Sequence, residues 1–256
     1  MESSQCSCKE RRKILEKVSI KAAGDSSILI EFGTTIAPEI NGRITAIVGM
    51  IKGQQIEGIV DMIPSFCALL INYDPRVITY GQISKRMEKL VNLEIEGEES
   101  VVTIYEIPVC YGGEYGPDLE HIATHAGLST DEVIQIHSGS DYLIYMLGFM
   151  PGFPYLGGLD DRIHTPRLEN PRMKIPAGSV GIGGAQTGIY PMESPGGWQL
   201  LGRTPVQTYN PNREVPILFE SGDYIRFIPI GEDEYVRILE QVQAGTYSYI
   251  SHRKEV

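Results

Sequence analysis

The chain lacks any run of apolar residues near the ~18 needed to cross a bilayer, and its N-terminus, MESSQCSCKERRK, has no apolar core of a secretory signal. Cysteine is scarce: Cys6, Cys8, Cys67 and Cys110 are all there are in 256 residues. They show no disulfide framework, and Cys6-x-Cys8 is too short for a zinc half-site. A reducing cytoplasm and no metal site are therefore expected. No P-loop sequence occurs, and GIGG (Gly181 to Gly184) is not a dinucleotide fingerprint, because Gln186 stands where the third glycine is needed. AGSVG (Ala177 to Gly181) lacks the buried strand before its serine and the helix after it that a nucleophile elbow requires. His121 and His125 stand four apart, but without the glutamate of a zinc-protease motif they read as an exposed helix face. Positive charge is also short, 22 Lys and Arg against 33 Asp and Glu. The resulting net charge of −11 argues against nucleic acid or an anionic membrane as partner.

What the chain does have is concentrated. Residues 148–205, from GFMPGFPYLGGLD through IPAGSVGIGGAQTGIYPMESPGGWQLLGRTP, hold 12 of the 28 glycines and 8 of the 16 prolines. Interleaved with them are Phe149, Phe153, Tyr155, Ile189, Tyr190 and the only tryptophan, Trp198. That much apolar surface collapses instead of staying solvated. Glycine in a packed segment marks positive φ or close backbone approach, and proline fixes the bends. A rigid, shaped surface is expected here, and it is locally +1 in charge against −12 for the remainder. Such a patch suits a small anion better than a polyanion.

Arg167, Arg172 and Arg203 adjoin proline or glycine, where a guanidinium fork can be held ready for carboxylate or phosphate. The alternative for each is a surface ion pair with Asp160, Asp161 or Glu193, and for Arg203 the two readings balance. His137, at the end of a well-marked helix, reads equally as a cap on the helix's negative end or as a functional group.

Upstream, VSIKAAGDSSILIEFG reads as strand, turn, strand. Pro38 opens a helix carrying Ile40, Ile44, Ile47, Val48 and Ile51 on one face, and a second helix carries Ile83, Met87, Leu90 and Val91. With EESVVTIYEIPVCY as the last strand, the order strand–helix–strand–strand–helix–strand fits a small α+β sandwich. Residues 117–137 give two short helices, the second capped by Ser129 with Glu132 completing a capping box and Leu128 stapling on Val133. Beyond DYLIYMLGF only Glu232 to Gln243 is helical, so the second domain is expected to be a β-rich barrel. The expected division is a polar tail (1–16), an α+β domain (17–106) and a barrel domain (107–256) with a helical entry segment (117–137).

IPVCYGGEYGPDLEHIATHAGLSTDEVIQIH (Ile107 to His137), MLGFMPGFPYLGGLD, TPR (Thr165 to Arg167), IPAGSVGIGGAQTGIYP and SPGGWQLLGRTP resemble the family of 5-oxoprolinase B subunits, also called KipI or allophanate hydrolase subunit 1. The resemblance covers about residues 18–245. The chain departs from it in its N-terminal tail and in Gly183-Gly184, where an Ala-Gly pair is common. It implies an N-terminal ferredoxin-like α/β sandwich followed by a C-terminal cyclophilin-like β-barrel. It also implies ATP-dependent opening of 5-oxoproline to L-glutamate, with ATP and Mg2+ in a site shared with a C-type (KipA-like) 5-oxoprolinase protein, and with an A-type protein as further partner. Two other roles are implied: inhibition of a sporulation sensor histidine kinase, and a carboxyltransferase-type part in a urea or allophanate pathway. The candidate catalytic residues are His137, Gln186 and Arg203. The candidate substrate-binding residues are Phe149, Pro151, Gly152, Phe153, Arg167, Gly178, Ser179, Thr187, Tyr190, Ser194, Gly196, Gly197 and Trp198.

Overall fold

A computed structural model describes residues 18–93 and 101–255, so the expected polar tail lies outside the described residues. The chain divides into two compact units, Met1–Glu98 and Glu99–Val256. In the first, alternating Ile28 and Ile30 of β2 (Ser27–Glu31) face Ile71 and Leu69 of β4 (Ala68–Tyr73) across an antiparallel register, and all four are buried. β1 (Ser19–Ala22) and β3 (Ile59–Pro64) complete a four-stranded antiparallel sheet in the order β1-β2-β4-β3. α1 (Pro38–Gln54) begins at its proline, and α2 (Tyr80–Val91) is strongly amphipathic. Their buried stripes, Ile40, Ile44, Ile47 and Ile51 on α1 and Ile83, Met87, Leu90 and Val91 on α2, join the sheet's apolar residues in one core.

The strand expected to close this sandwich belongs elsewhere. Among the described residues β5 (Val101–Tyr111) pairs only with strands of the second unit, and the edge beside β2 is taken by β1. A strand's alternation states which residues are buried, not which sheet it joins.

The second unit is a closed seven-stranded barrel. Its further strands are β6 (Asp141–Leu147), β7 (Pro154–Gly157), β9 (Ser179–Gly183), β10 (Gln186–Ile189), β12 (Gln199–Arg203) and β13 (Tyr224–Ile230), preceding β14 (Ile250–Glu255). The order β12-β9-β10-β7-β6-β13-β5 closes where Gly202 and Arg203 pair with Tyr111 and Cys110. β14 lies along the earlier half of β5, and β8 (Arg172–Ile175) with β11 (Ser194–Gly196) forms a separate ribbon. Bulges between Ile144 and Met146 and between Leu200 and Gly202 give the bend that closure demands. The interior is filled by Val109, Ile144, Leu156, Val180, Ile182, Ile189, Leu201, Ile225 and Phe227. α3 (Leu119–Ala126) and α4 (Thr130–Ser138) add Ile122 and Val133 to that core. α3 ends at Gly127 with φ 68°, and α4 carries the expected Ser129–Glu132 capping box. α5 (Glu232–Gln243) follows β13.

Candidate functional site

The glycine-rich strands have two faces. Val180, Ile182, Thr187 and Ile189 are buried, the three aliphatic ones in the barrel core, while Gly181, Gly183 and Gly188 lie beneath Trp198. A Cβ on Gly183 would stand 2.4 Å from the indole Nε1, and one on Gly188 3.0 Å from Cζ3. These glycines therefore make room for a ring of the protein's own. Trp198, Phe153, Tyr190, Ile175 and Leu200 form a compact cluster, with Phe153 centred 5.4 Å from Trp198 and 5.3 Å from Tyr190, both edge-on. Phe153, Tyr190 and Trp198 are 2%, 2% and 4% exposed, so all three are core residues in this chain. Gly196 clears the Tyr190 hydroxyl, and Gly197 lies against Pro171 and accepts a hydrogen bond from the Leu168 N–H at 2.7 Å. Ser194, in β11, has a buried hydroxyl without a partner among the described residues. Arg167 is exposed, its guanidinium 5.7 Å from the Trp198 ring centre.

At the other end of this aromatic strip the chain turns sharply. The Met150 N–H donates to the Gly148 carbonyl at 2.7 Å across Phe149, whose φ is 65°. That is a γ-turn of the rare, strained hand, here centred on a bulky residue. Pro151 and Gly152, the latter at φ 79°, then form a second turn closed by the Phe153 N–H on the Met150 carbonyl at 3.1 Å. Phe149 is left 65% exposed, edge-on to Phe153 at 5.7 Å. An open depression of about 310 Å3 lies here, lined by Leu147, Gly148, Phe149, Met150, Pro151, Gly152 and Ile217. Gly152 rests against Thr208 and Tyr209. The segment 207–217 is tied from within by Arg213, which donates to the carbonyls of Gln207, Thr208, Val215 and Pro216 and to the Tyr249 hydroxyl.

Gly178, Ser179 and Arg203 meet at the barrel seam. Gly178 has φ 80°, and a Cβ there would stand 2.2 Å from the Thr204 carbonyl oxygen. Ser179 and Arg203 are register partners. The Ser179 hydroxyl and the Arg203 Nε are both buried without a hydrogen-bond partner among the described residues. The Arg203 guanidinium lies 5.7 Å from the Tyr115 ring centre and reaches the Glu114 carbonyl at 3.4 Å. Burial, Glu232 and Glu114 together push the neighbouring Cys110 thiol up. This surrounding acidity suits a bracing cation better than an anion trap. Arg172 is also engaged: it pairs with Asp118 at 2.6 Å, and the other Asp118 oxygen accepts the Leu200 N–H at 2.6 Å.

His137 and Thr187 meet inside the barrel. His137 is fully buried, with Nδ1 2.8 Å from the Tyr111 hydroxyl and Nε2 2.9 Å from Thr187 Oγ1. Thr187 donates to the Gly181 carbonyl at 3.1 Å, so the consistent pattern has Nε2–H donating to Thr187 and Tyr111 donating to Nδ1. Burial lowers the His137 pKa to about 3. The imidazole is thus neutral, fully bonded and out of reach of solvent. Gln186 stands apart from this chain of hydrogen bonds at the start of β10, half-buried, paired in register with Gly183.

The expected residues therefore separate into the Phe149–Trp198 strip with Arg167, the seam at Arg203 and the interior pair His137–Thr187. Leu147, Met150, Ile217 and Arg213 were not among the candidates. Met150 lies within the MLGFMPGFPYLGGLD motif, whereas Ile217 is brought in from a distant segment by the fold alone.

The carboxyltransferase domain family, subdomains C and D, matches residues 18–219. The 5-oxoprolinase B subunit of Bacillus subtilis is 43% identical over 229 residues, which span 86% of this chain and 95% of that protein. The chain belongs to the family of 5-oxoprolinase B subunits. Among solved structures, a conserved uncharacterized protein from Pyrococcus horikoshii is 48% identical, with 85% of this chain and all of that one covered, at a TM-score of 0.51. The urea amidolyase of K. lactis shares the fold, with a TM-score of 0.79 at 24% identity over 95% of this chain, which spans 16% of that much longer protein. Among the described residues no helix is long and apolar enough to cross a membrane, and no group of three or more His, Cys, Asp or Glu is placed to hold a metal ion.

Proposed function

We propose that this chain is the B-type, non-autonomous component of a cytoplasmic ATP-dependent 5-oxoprolinase, opening 5-oxoproline to L-glutamate only with a C-type (KipA-like) partner and an A-type protein. The observation that carries the reading is the identity to the Bacillus protein spread over 95% of its length. On the same grounds we read the barrel as cyclophilin-like and the first unit as ferredoxin-like, with β1 standing in for the usual last strand.

A lactam is resonance-stabilised, and phosphorylation of its oxygen makes the ring carbon electrophilic enough for water. The enzyme must hold the ring and balance the charge on the transferring phosphoryl group. The described residues of this chain fit the first task better than the second. The depression is lined by main chain and apolar side chains, while Arg172 and Arg226 are held by Asp118 and Asp141. Arg167 stays exposed beside Trp198, and the remaining charges around the nucleotide and its Mg2+ would come from the partner.

Reconstitution with the A- and C-type proteins, following ATP hydrolysis with and without 5-oxoproline, tests the reading. The isolated chain is expected to be inactive and the full set active. Turnover that depends on urea or allophanate instead would reassign the chain to that pathway.

A further inference from the structure

We infer that the depression beside the Phe149 turn receives the uncharged ring of a small cyclic amide, stacked on Phe149, with the ligand's charged end left outside. Naming that ring as the lactam of 5-oxoproline rests on the function proposed above; the shape and chemistry of the depression do not.

Three observations support the assignment. The first is strain. An aromatic residue at φ 65° inside a γ-turn is an arrangement that unconstrained chains avoid, and glycine would occupy it without penalty. The consequence of that backbone is a phenyl ring 65% exposed, whereas the neighbouring rings of Phe153, Tyr190 and Trp198 are buried.

The second is rigidity on both sides. Hydrogen bonds from Gly148 to Phe153, Met150 to Gly148 and Phe153 to Met150 lock one wall. The five partners of Arg213 lock the segment that ends at Ile217. A pre-formed concavity costs a ligand little ordering.

The third is the polarity of the lining. Among the described residues no charged side chain lines the depression, so a carboxylate placed inside would lose hydration without a counter-ion. The main-chain N–H groups of Phe149 and Gly152 donate to no main-chain carbonyl among the described residues. Phe149 and Gly152 both line the depression, and a flat ring edged by an amide carbonyl could use an aromatic side chain and main-chain donors together. The depression is open and measures about 310 Å3, room for one small ring covered from one side. The carboxylate of an amino-acid lactam would then face outward, toward whatever closes the open side.

The test uses the intact chain and 2-pyrrolidinone, a lactam without a carboxylate, in an amide-resolved NMR titration. Saturable shifts are expected at Phe149, Met150, Gly152 and Ile217, and none there with acetate. Phe149→Gly keeps a backbone that favours positive φ and removes the ring; it should weaken 2-pyrrolidinone binding at least tenfold. In the reconstituted complex the same variant should raise KM for 5-oxoproline at least tenfold while co-eluting normally with its partners. Shifts confined to other residues, or none, would overturn the assignment. So would an unchanged KM, and loss of co-elution with KM intact would make the turn a docking point for the partner instead. If the wild-type complex does not turn over 5-oxoproline, the functional reading fails while the titration still decides the depression.

Discussion

Below about pH 6.5 the unfolded chain takes up a proton at His137 that the folded chain refuses. The folded imidazole has no vacant site: Nδ1 accepts from Tyr111, Nε2–H is given to Thr187, and burial lowers the pKa from 6.5 to about 3. A depressed folded-state pKa contributes stability that is complete above the unfolded value and is lost as pH falls from it toward the folded one. The slope approaches ~1.4 kcal/mol per pH unit. Between pH 6.5 and 5, before most carboxylates titrate, the loss is ~2 kcal/mol, which for a unit of this size lowers Tm by ~4–8 °C. Scanning calorimetry from pH 7.5 to 5 measures it. His137→Gln should be less stable at pH 7.5 by ~2 kcal/mol, having lost a hydrogen bond in the core, yet should show a flatter acid limb. Parallel acid limbs for wild type and His137→Gln would refute the buried, neutral imidazole.

The other expectations are local. Gly183→Ala sets a Cβ against the Trp198 indole and should cost ~2 kcal/mol with a shifted tryptophan emission maximum, whereas Gly184→Ala, with open space but φ 70°, should cost ~1 kcal/mol and leave emission unchanged. Asp118→Ala strands Arg172 and the Leu200 N–H together and should cost ~3 kcal/mol in urea denaturation. Phe153→Ala opens the aromatic cluster and should cost ~3–5 kcal/mol, whereas Phe149→Gly, trading a surface contact for relief of strain, should leave the urea midpoint near wild type. Arg213→Ala should raise amide exchange across 207–217 without moving it in the barrel strands.

Much was already determined by the sequence alone, wherever a rule acts over a few neighbouring residues. Pro38 starts α1, the Ser129–Glu132 box starts α4, Gly127 ends α3, and the spacing of Ile83, Met87, Leu90 and Val91 names the buried face of α2. Glycine and proline density marked 148–205 as tightly shaped, although much of it is core and not surface, and the motifs carried the family. What needed the tertiary structure depends on contacts between distant segments. β5 alternates in the same way whichever sheet it enters, so only register and closure put it in the barrel. Gly181, Gly183 and Gly188 face Trp198, not a ligand, because β12 lies beside β9. His137 is silent as a base because the fold surrounds it with Tyr111 and Thr187, 26 residues before it and 50 after. Phe149 stands out to solvent while Phe153, Tyr190 and Trp198 are buried, since the sign of one φ angle is set by the turn around it and not by the residue's own preference.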